Sequence, residues 1–516
     1  MRFIAGSLTR IKARARRSRY NDGLPRAMPA SPVAFCPPAV APARPVVVAS
    51  PAPVALGASA FLPVAARRWF VLAVGSLVVA GCLSISVVIG RIPGVARFID
   101  DPLFFKRCLV VHVDLALVVW FYAFIAGLNA LVAGQRRAFA GTAGFVIAVS
   151  GVVAMMAGAL MRGAQPVLAN YVPVIDHPLF LAGLGGFFVG TLVCLIESLG
   201  AVPRAFPGAP AGECATGLQA SAVAFVLAGA TWLATRACLP DGLDPWTKFE
   251  FSAWGAGHVL QVANAAAMVA VWLWLLARAT GRPVLGPRGA LIAFGALVAP
   301  HLVMPLLTAR GALDTLYHTG ATQLMRWGIF PVVSVMLVLG VRHLRRHGLA
   351  AGEPLARLAR AGFLASAALT ALGFILGACI RGSTTLVPAH YHASLGGVTV
   401  AFMTAAYLVC AGAARSGLAA STITSARRQL GVFGVGQTVF ALGFGLGGLY
   451  GLGRKTYAGE QHVRRVGEYV GLGVMGVGGL VATVAGVWFL WLVLREMRAW
   501  WSPRAAASVY PNPNSS

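Results

Sequence analysis

The sequence predicts an all-α polytopic membrane protein, with twelve transmembrane helices gathered in one bundle. Of 516 residues, 58% are hydrophobic and 11% charged, and the mean hydropathy of +0.77 exceeds what a soluble domain of this size carries. Windows long enough to cross a hydrocarbon core of about 30 Å recur along the chain. The Lys and Arg behind the net charge of +27 lie in short loops between apolar runs, which reads as membrane topology. They form no single stripe that would hold nucleic acid, so none is expected as a partner.

Residues 1–68 stand apart. "MRFIAGSLTRIKARARRSRY" is Arg-rich, and the Pro/Ala-rich stretch after it cannot build a packed core, so a disordered basic tail is expected. Its acid-poor start also resembles an organellar transit peptide. The membrane domain is expected over 69–497, with spans at 69–90, 106–134, 138–161, 179–200, 216–237, 250–278, 288–308, 322–341, 358–379, 388–414, 429–450 and 467–495, and a short polar tail at 498–516. Twelve crossings put both termini on one side. That side holds 28 Lys and Arg against 14 opposite, so the termini are assigned to the cytoplasm. The eight Cys form no CxxC pair and read as small core residues.

Histidine depth turns this topology into a site. His112 lies about six residues into the second span and His258 about eight into the sixth, roughly 9–12 Å down their axes. His301 sits about seven residues before the outer end of the seventh span at 1.5 Å per residue, and His390 and His392 open the tenth in "VPAHYHASLGG". Five imidazoles on four spans thus share one layer in the outer half of the membrane. A lone intramembrane His usually bonds across a helix interface, but ionisable groups are costly in a bilayer and mark functional sites. Imidazole is also a common ligand for haem iron, copper and zinc. His177, His318, His343, His347 and His462 fall in or near loops, where solvated or headgroup-facing roles are expected.

Spacing separates the two histidines of the tenth span. At about 100° per residue, positions i and i+2 point roughly 200° apart, so His390 and His392 leave opposite faces and cannot chelate one ion. They suit two haems flanking one helix.

With these residues in order, the chain resembles subunit I of the haem-copper oxidase superfamily, including its nitric oxide reductase branch, over roughly residues 69–495. The resemblance implies that His112 in "CLVVHVDLALVVW" and His392 bind a low-spin haem, and that His390 binds a high-spin haem. It also implies that His258 in "WGAGHVLQ", with His301, binds copper or non-haem iron. Arg454 and Lys455 in "GLGRKTY" match the basic pair that holds haem propionates, and Arg381 is a further candidate, with a lipid headgroup as its alternative partner. His390, His258 and His301 are then the expected catalytic residues.

Three departures bear on the metal site. The family places two adjacent histidines on the seventh helix, whereas "LVAPHLVMP" has His301 between Pro300 and Leu302. Most oxidases carry a Tyr four residues after the sixth-helix His, but Val262 stands there and the seventh span has no Tyr. The Glu of the reductases is absent from the same place. Gln261 and Asn264 are the nearby substitutes, though neutral amides bind these metals weakly and more often hydrogen-bond within a bundle. Asp114, two residues after His112, is expected to pair with a loop group.

The resemblance implies a terminal oxidase subunit reducing oxygen to water with electrons from a cytochrome or quinol. It would work with other respiratory subunits in a bacterial inner membrane, or alternatively a mitochondrial one. A nitric oxide reductase-like subunit and a haem protein with a decayed metal site are the alternatives within the fold. A transporter also fits twelve spans. No CxxCH occurs, so no covalent haem c is expected on this chain.

Overall fold

The computed structural model describes residues 62–89, 101, 103–132, 137–200, 211–414, 417–454 and 463–501. Most of the basic tail, Lys455, Glu460, His462 and the C-terminal residues from 502 onward lie outside them. Twelve helices among the described residues are long and apolar enough to cross a membrane. They are α1 (Val64–Ser86), α2 (Phe104–Val132), α3 (Ala138–Ala159), α4 (Pro178–Ser198), α5 (Gly212–Ala237), α6 (Pro245–Thr280), α7 (Pro287–Arg310), α8 (Thr315–His347), α9 (Pro354–Ala378), α10 (Leu386–Ala413), α11 (Ala420–Leu449) and α12 (Val466–Met497). The protein is an all-α integral membrane protein. A two-stranded antiparallel hairpin, β1 (Gln165–Val167) with β2 (Val174–Asp176), fills the connection from α3 to α4.

Each expected span becomes a helix, and the ends move for local reasons. The first begins at Val64, inside the stretch assigned to the tail. α6 begins at Pro245 because Asp244 caps it, accepting a hydrogen bond from the Thr247 N–H at 3.1 Å, and it ends where Gly281 turns into the left-handed region (φ 73°). α8 reaches back to Thr315 under the cap of Asp314, which accepts from the Leu316 N–H at 2.7 Å. His177 is itself a cap, with Nδ1 accepting from the Leu179 N–H at 3.2 Å.

Three spans are not regular. α7 tightens to a 3-10 helix over Ala299–Val303, because Pro300 and Pro305 have no N–H to give the helical ladder. α2 widens to a π-helix over Asp114–Val119 and α8 over Met325–Ile329, a local geometry that clusters at functional sites.

The bundle has a clear interior. In α6, 94% of the most apolar window is buried, against 83% in α10 and 72% in α2. The three innermost helices are therefore three of the four that carry the histidine layer. Around them the helices close up through small residues. At the α3/α4 crossing a β-carbon on Gly183 would lie 2.5 Å from the Met155 backbone N and 2.6 Å from the Gly151 carbonyl oxygen. Gly183→Val must therefore force the two helices apart, and an overpacking loss of about 3 kcal/mol is expected, read as a lowered midpoint in thermal unfolding. An unchanged midpoint would contradict this packing. Arg67, in the first turn of α1, donates to the Trp500 carbonyl at 3.1 Å, so the start of α1 and the end of α12 lie on one face.

Candidate functional site

His390 and His392 leave α10 in opposite directions. The His390 ring turns to α9, where Nδ1 donates to the Gly373 carbonyl at 2.7 Å. Gly377 leaves room for it, since a β-carbon there would come within 2.7 Å of the same nitrogen. His392 turns to α11, lying parallel to the Phe444 ring (centroids 5.5 Å, 13°) and edge-on to Phe440 (4.7 Å, 89°). On that flank His112 of α2 comes into electrostatic range of His392, and its Nδ1 donates to the Ala80 carbonyl of α1 at 2.7 Å.

The same bonding recurs on the other two histidines of the layer. His258 Nδ1 meets the Trp254 carbonyl at 2.7 Å, and His301 Nδ1 meets the Leu297 carbonyl at 3.1 Å. A carbonyl oxygen only accepts, so in all four rings Nδ1 carries the proton and Nε2 keeps its lone pair. This arrangement holds a metal-binding imidazole in the right tautomer and orientation. The residues on the two flanks of α10 therefore fit haem iron: His112 and His392 on one side, His390 on the other.

The residues around His258 fit a second metal less well. His301 is fully buried, packs against Gly328 in the π-helical turn of α8, and its Nε2 has no hydrogen-bond partner among the described residues. His258 Nε2, however, is taken by the hydroxyl of Tyr171 at 2.8 Å. His318 comes within electrostatic range of His258, and its Nε2 donates to the Ala312 carbonyl at 3.0 Å. Among the described residues no group of three or more His, Cys, Asp or Glu is placed to hold a metal. Gln261 and Asn264 bond each other at 3.4 Å within α6.

Tyr171 is the residue that sequence reasoning missed. It comes from the turn between β1 and β2, 87 residues before His258. Its backbone is left-handed (φ 65°), which costs about 1–2 kcal/mol in a residue with a β-carbon. The ring lies against His258 (centroids 4.6 Å) and edge-on to Trp254 (5.9 Å). It fits only because position 257 is glycine: a β-carbon there would overlap the ring. Burial pushes the phenol pKa up, and the nearby Glu250 carboxylate pushes it further against a smaller opposing effect of Arg454. The hydroxyl is therefore a donor to His258.

The turn is anchored from below. Glu250, near the start of α6 and 4% exposed, accepts from the Asn170 backbone N–H at 2.7 Å and also from the Asn170 side-chain amide. Asn170 in turn accepts from Arg454 Nη1 at 3.3 Å, and Arg454 Nε donates to Ser383 Oγ at 2.9 Å. The strand-like bridge Thr384–Gly453 and the Thr385 N–H bond to the Leu452 carbonyl at 2.9 Å hold this loop at the mouth of α10. Arg381, expected to meet a propionate or a lipid headgroup, lies at the end of α9. It is exposed, and Nη1 donates to the Ala378 and Ile380 carbonyls at the end of α9, at 2.9 and 3.0 Å. Lys455 lies outside the described residues. Asp114, expected to pair with a loop group, is buried in the π-helical turn of α2 with neither carboxyl oxygen bonded among the described residues. With 0% exposure, the Asp114 side chain lies inside the bundle and not at a loop.

No family model matches the sequence. An uncharacterized protein of Aquifex aeolicus is 30% identical over 338 residues, covering 64% of this chain and 81% of that one. An uncharacterized protein of Rickettsia prowazekii is 22% identical over 496 residues, covering 84% and 96%. Among solved structures, a haem-copper terminal oxidase dimer superposes with a TM-score of 0.55 at 16% identity, over 87% of this chain and 84% of that one. The helical membrane fold is shared with that oxidase.

Proposed function

We propose that this chain, which belongs to the same family as the uncharacterized Aquifex aeolicus protein, is an integral-membrane haem oxidoreductase. In this reading it passes electrons through a low-spin haem to a second haem that binds and reduces a diatomic gas, dioxygen in the first place. The fold it shares with a terminal oxidase supports the reading. The observation that carries it is the pair of flanks on α10, with imidazole Nδ1 tied to backbone carbonyls at Ala80 on one side and Gly373 on the other.

A haem held by His112 and His392 would carry electrons only, because six-coordinate iron has no position for substrate, whereas one held by His390 alone would keep a face open. The Ala80 and Gly373 carbonyls orient the rings of His112 and His390, and Phe440 and Phe444 pack on His392. Arg454, at the mouth of α10, would meet propionates in this reading. A second metal on His258 and His301 is left out of this reading, because Tyr171 holds one of the two nitrogens it needs. Dioxygen is preferred to nitric oxide because a phenol does stand beside His258, although neither the sixth nor the seventh helix supplies it. Partner subunits, a cytochrome or quinol donor, a bacterial inner membrane and cytoplasmic termini complete the proposal.

A reduced-minus-oxidised spectrum of the purified protein tests it. Two haems are expected per chain, one low-spin and one binding carbon monoxide, and oxygen consumption should exceed nitric oxide consumption at an electrode. A haem-free preparation from haem-sufficient cells would overturn the reading and leave a transporter as the better account.

A further inference from the structure

We infer that Tyr171 withholds His258 from metal, so that this chain carries a phenol–imidazole pair where a second metal centre would otherwise form. The inference rests on the haem-protein reading above, and it starts from which nitrogen the phenol occupies. With Nδ1 donating to Trp254, the lone pair on Nε2 is the one the ring can offer to a metal. The Tyr171 hydroxyl donates into that lone pair at 2.8 Å. A metal on Nε2 would have to displace the hydroxyl.

Three independent features hold the hydroxyl there. Tyr171 sits in a left-handed backbone conformation that a residue with a side chain rarely keeps unless its surroundings fix it. Gly257 leaves the space on α6 in which the ring lies, one residue before His258 itself, since a β-carbon there would overlap it. Glu250, two helical turns earlier on the same helix, bonds both the backbone and the side chain of Asn170, the residue before Tyr171. One helix thus presents the imidazole, the gap that receives the phenol and the anchor of the loop that carries it. The remaining donors do not make up the loss. Among the described residues no group of three or more His, Cys, Asp or Glu is placed to hold a metal there, and Gln261 and Asn264 bond each other. His301 Nε2 has no hydrogen-bond partner among the described residues.

Metal analysis of the purified, haem-loaded protein tests this, comparing the wild type with Tyr171→Phe, His258→Ala and the double variant Tyr171→Phe/His258→Ala. Each is exposed to copper(I) and then washed with a weak chelator. The phenylalanine keeps the ring in its gap and removes only the hydroxyl. Wild type is expected to retain no copper and no non-haem iron, whereas Tyr171→Phe should retain about one equivalent of copper, imidazole being a ready copper ligand. That gain should vanish in the double variant. Wild-type protein with about one equivalent of copper or non-haem iron that His258→Ala removes would overturn the inference. So would a Tyr171→Phe protein that takes up no copper. Haem content, read by spectroscopy on the same samples, separates the two levels: missing haem defeats the functional reading, while the copper result judges the Tyr171 pair alone.

Discussion

His392→Ala is expected to abolish the low-spin haem signal while carbon monoxide still binds, and His390→Ala to abolish carbon monoxide binding while the low-spin signal remains. The two residues are neighbours on one helix but serve opposite flanks. His390 is fixed against α9 through Gly373, and His392 is packed between Phe440 and Phe444 on α11. Neither ring touches the other's partners, so each deletion should stay local. With His392 gone, His112 alone cannot complete a six-coordinate iron, and spectral loss at that haem should be essentially complete. With His390 gone, the haem that would offer an open face in the proposed reading would lose its anchor. Equal loss of both signals in both variants would mean that the face assignment is wrong or that the fold collapses, and thermal unfolding of the two proteins tells these apart.

Glu250→Ala is expected to lower stability by about 2–4 kcal/mol, since it removes two hydrogen bonds to one buried carboxylate and leaves their donors unpaired. The effect should be concentrated in one place. Asn170 is held by Glu250 and in turn holds Arg454, so the β1–β2 hairpin should become cleavable by protease while the helices stay protected. Glu250→Gln keeps an acceptor for the backbone N–H and should restore most of the resistance. An Ala variant with an unchanged unfolding midpoint and an intact hairpin would show that Tyr171 is held by its ring packing and not by this anchor.

The number and order of the helices were legible because apolar runs of spanning length are a local property: each can be read without knowing its neighbours. The same holds for the α10 pair. A spacing of two on a helix sends side chains to opposite faces wherever the helix sits, and His390 and His392 do face α9 and α11. Helix ends were harder, because Asp244 and Asp314 cap their helices one turn or more before the apolar run begins. The break in α7 follows from Pro300 and Pro305, which a hydropathy window passes over.

Chain order and periodicity determine the membrane class and the twelve spans, and they supply the expectation of a common depth for five histidines, all of which depend on residues close together in sequence. The surroundings of those histidines depend on folding. Which carbonyl meets each Nδ1 is set by helix contacts such as His112 with Ala80. The phenol on His258 arrives from a short hairpin, with strands of three residues each, whose sequence carries no periodic signal linking it to α6. The expected place for a tyrosine was Val262, one turn along the same helix. The structure instead brings Tyr171 from 87 residues away, because Gly257 leaves the space and Glu250 holds the loop over it.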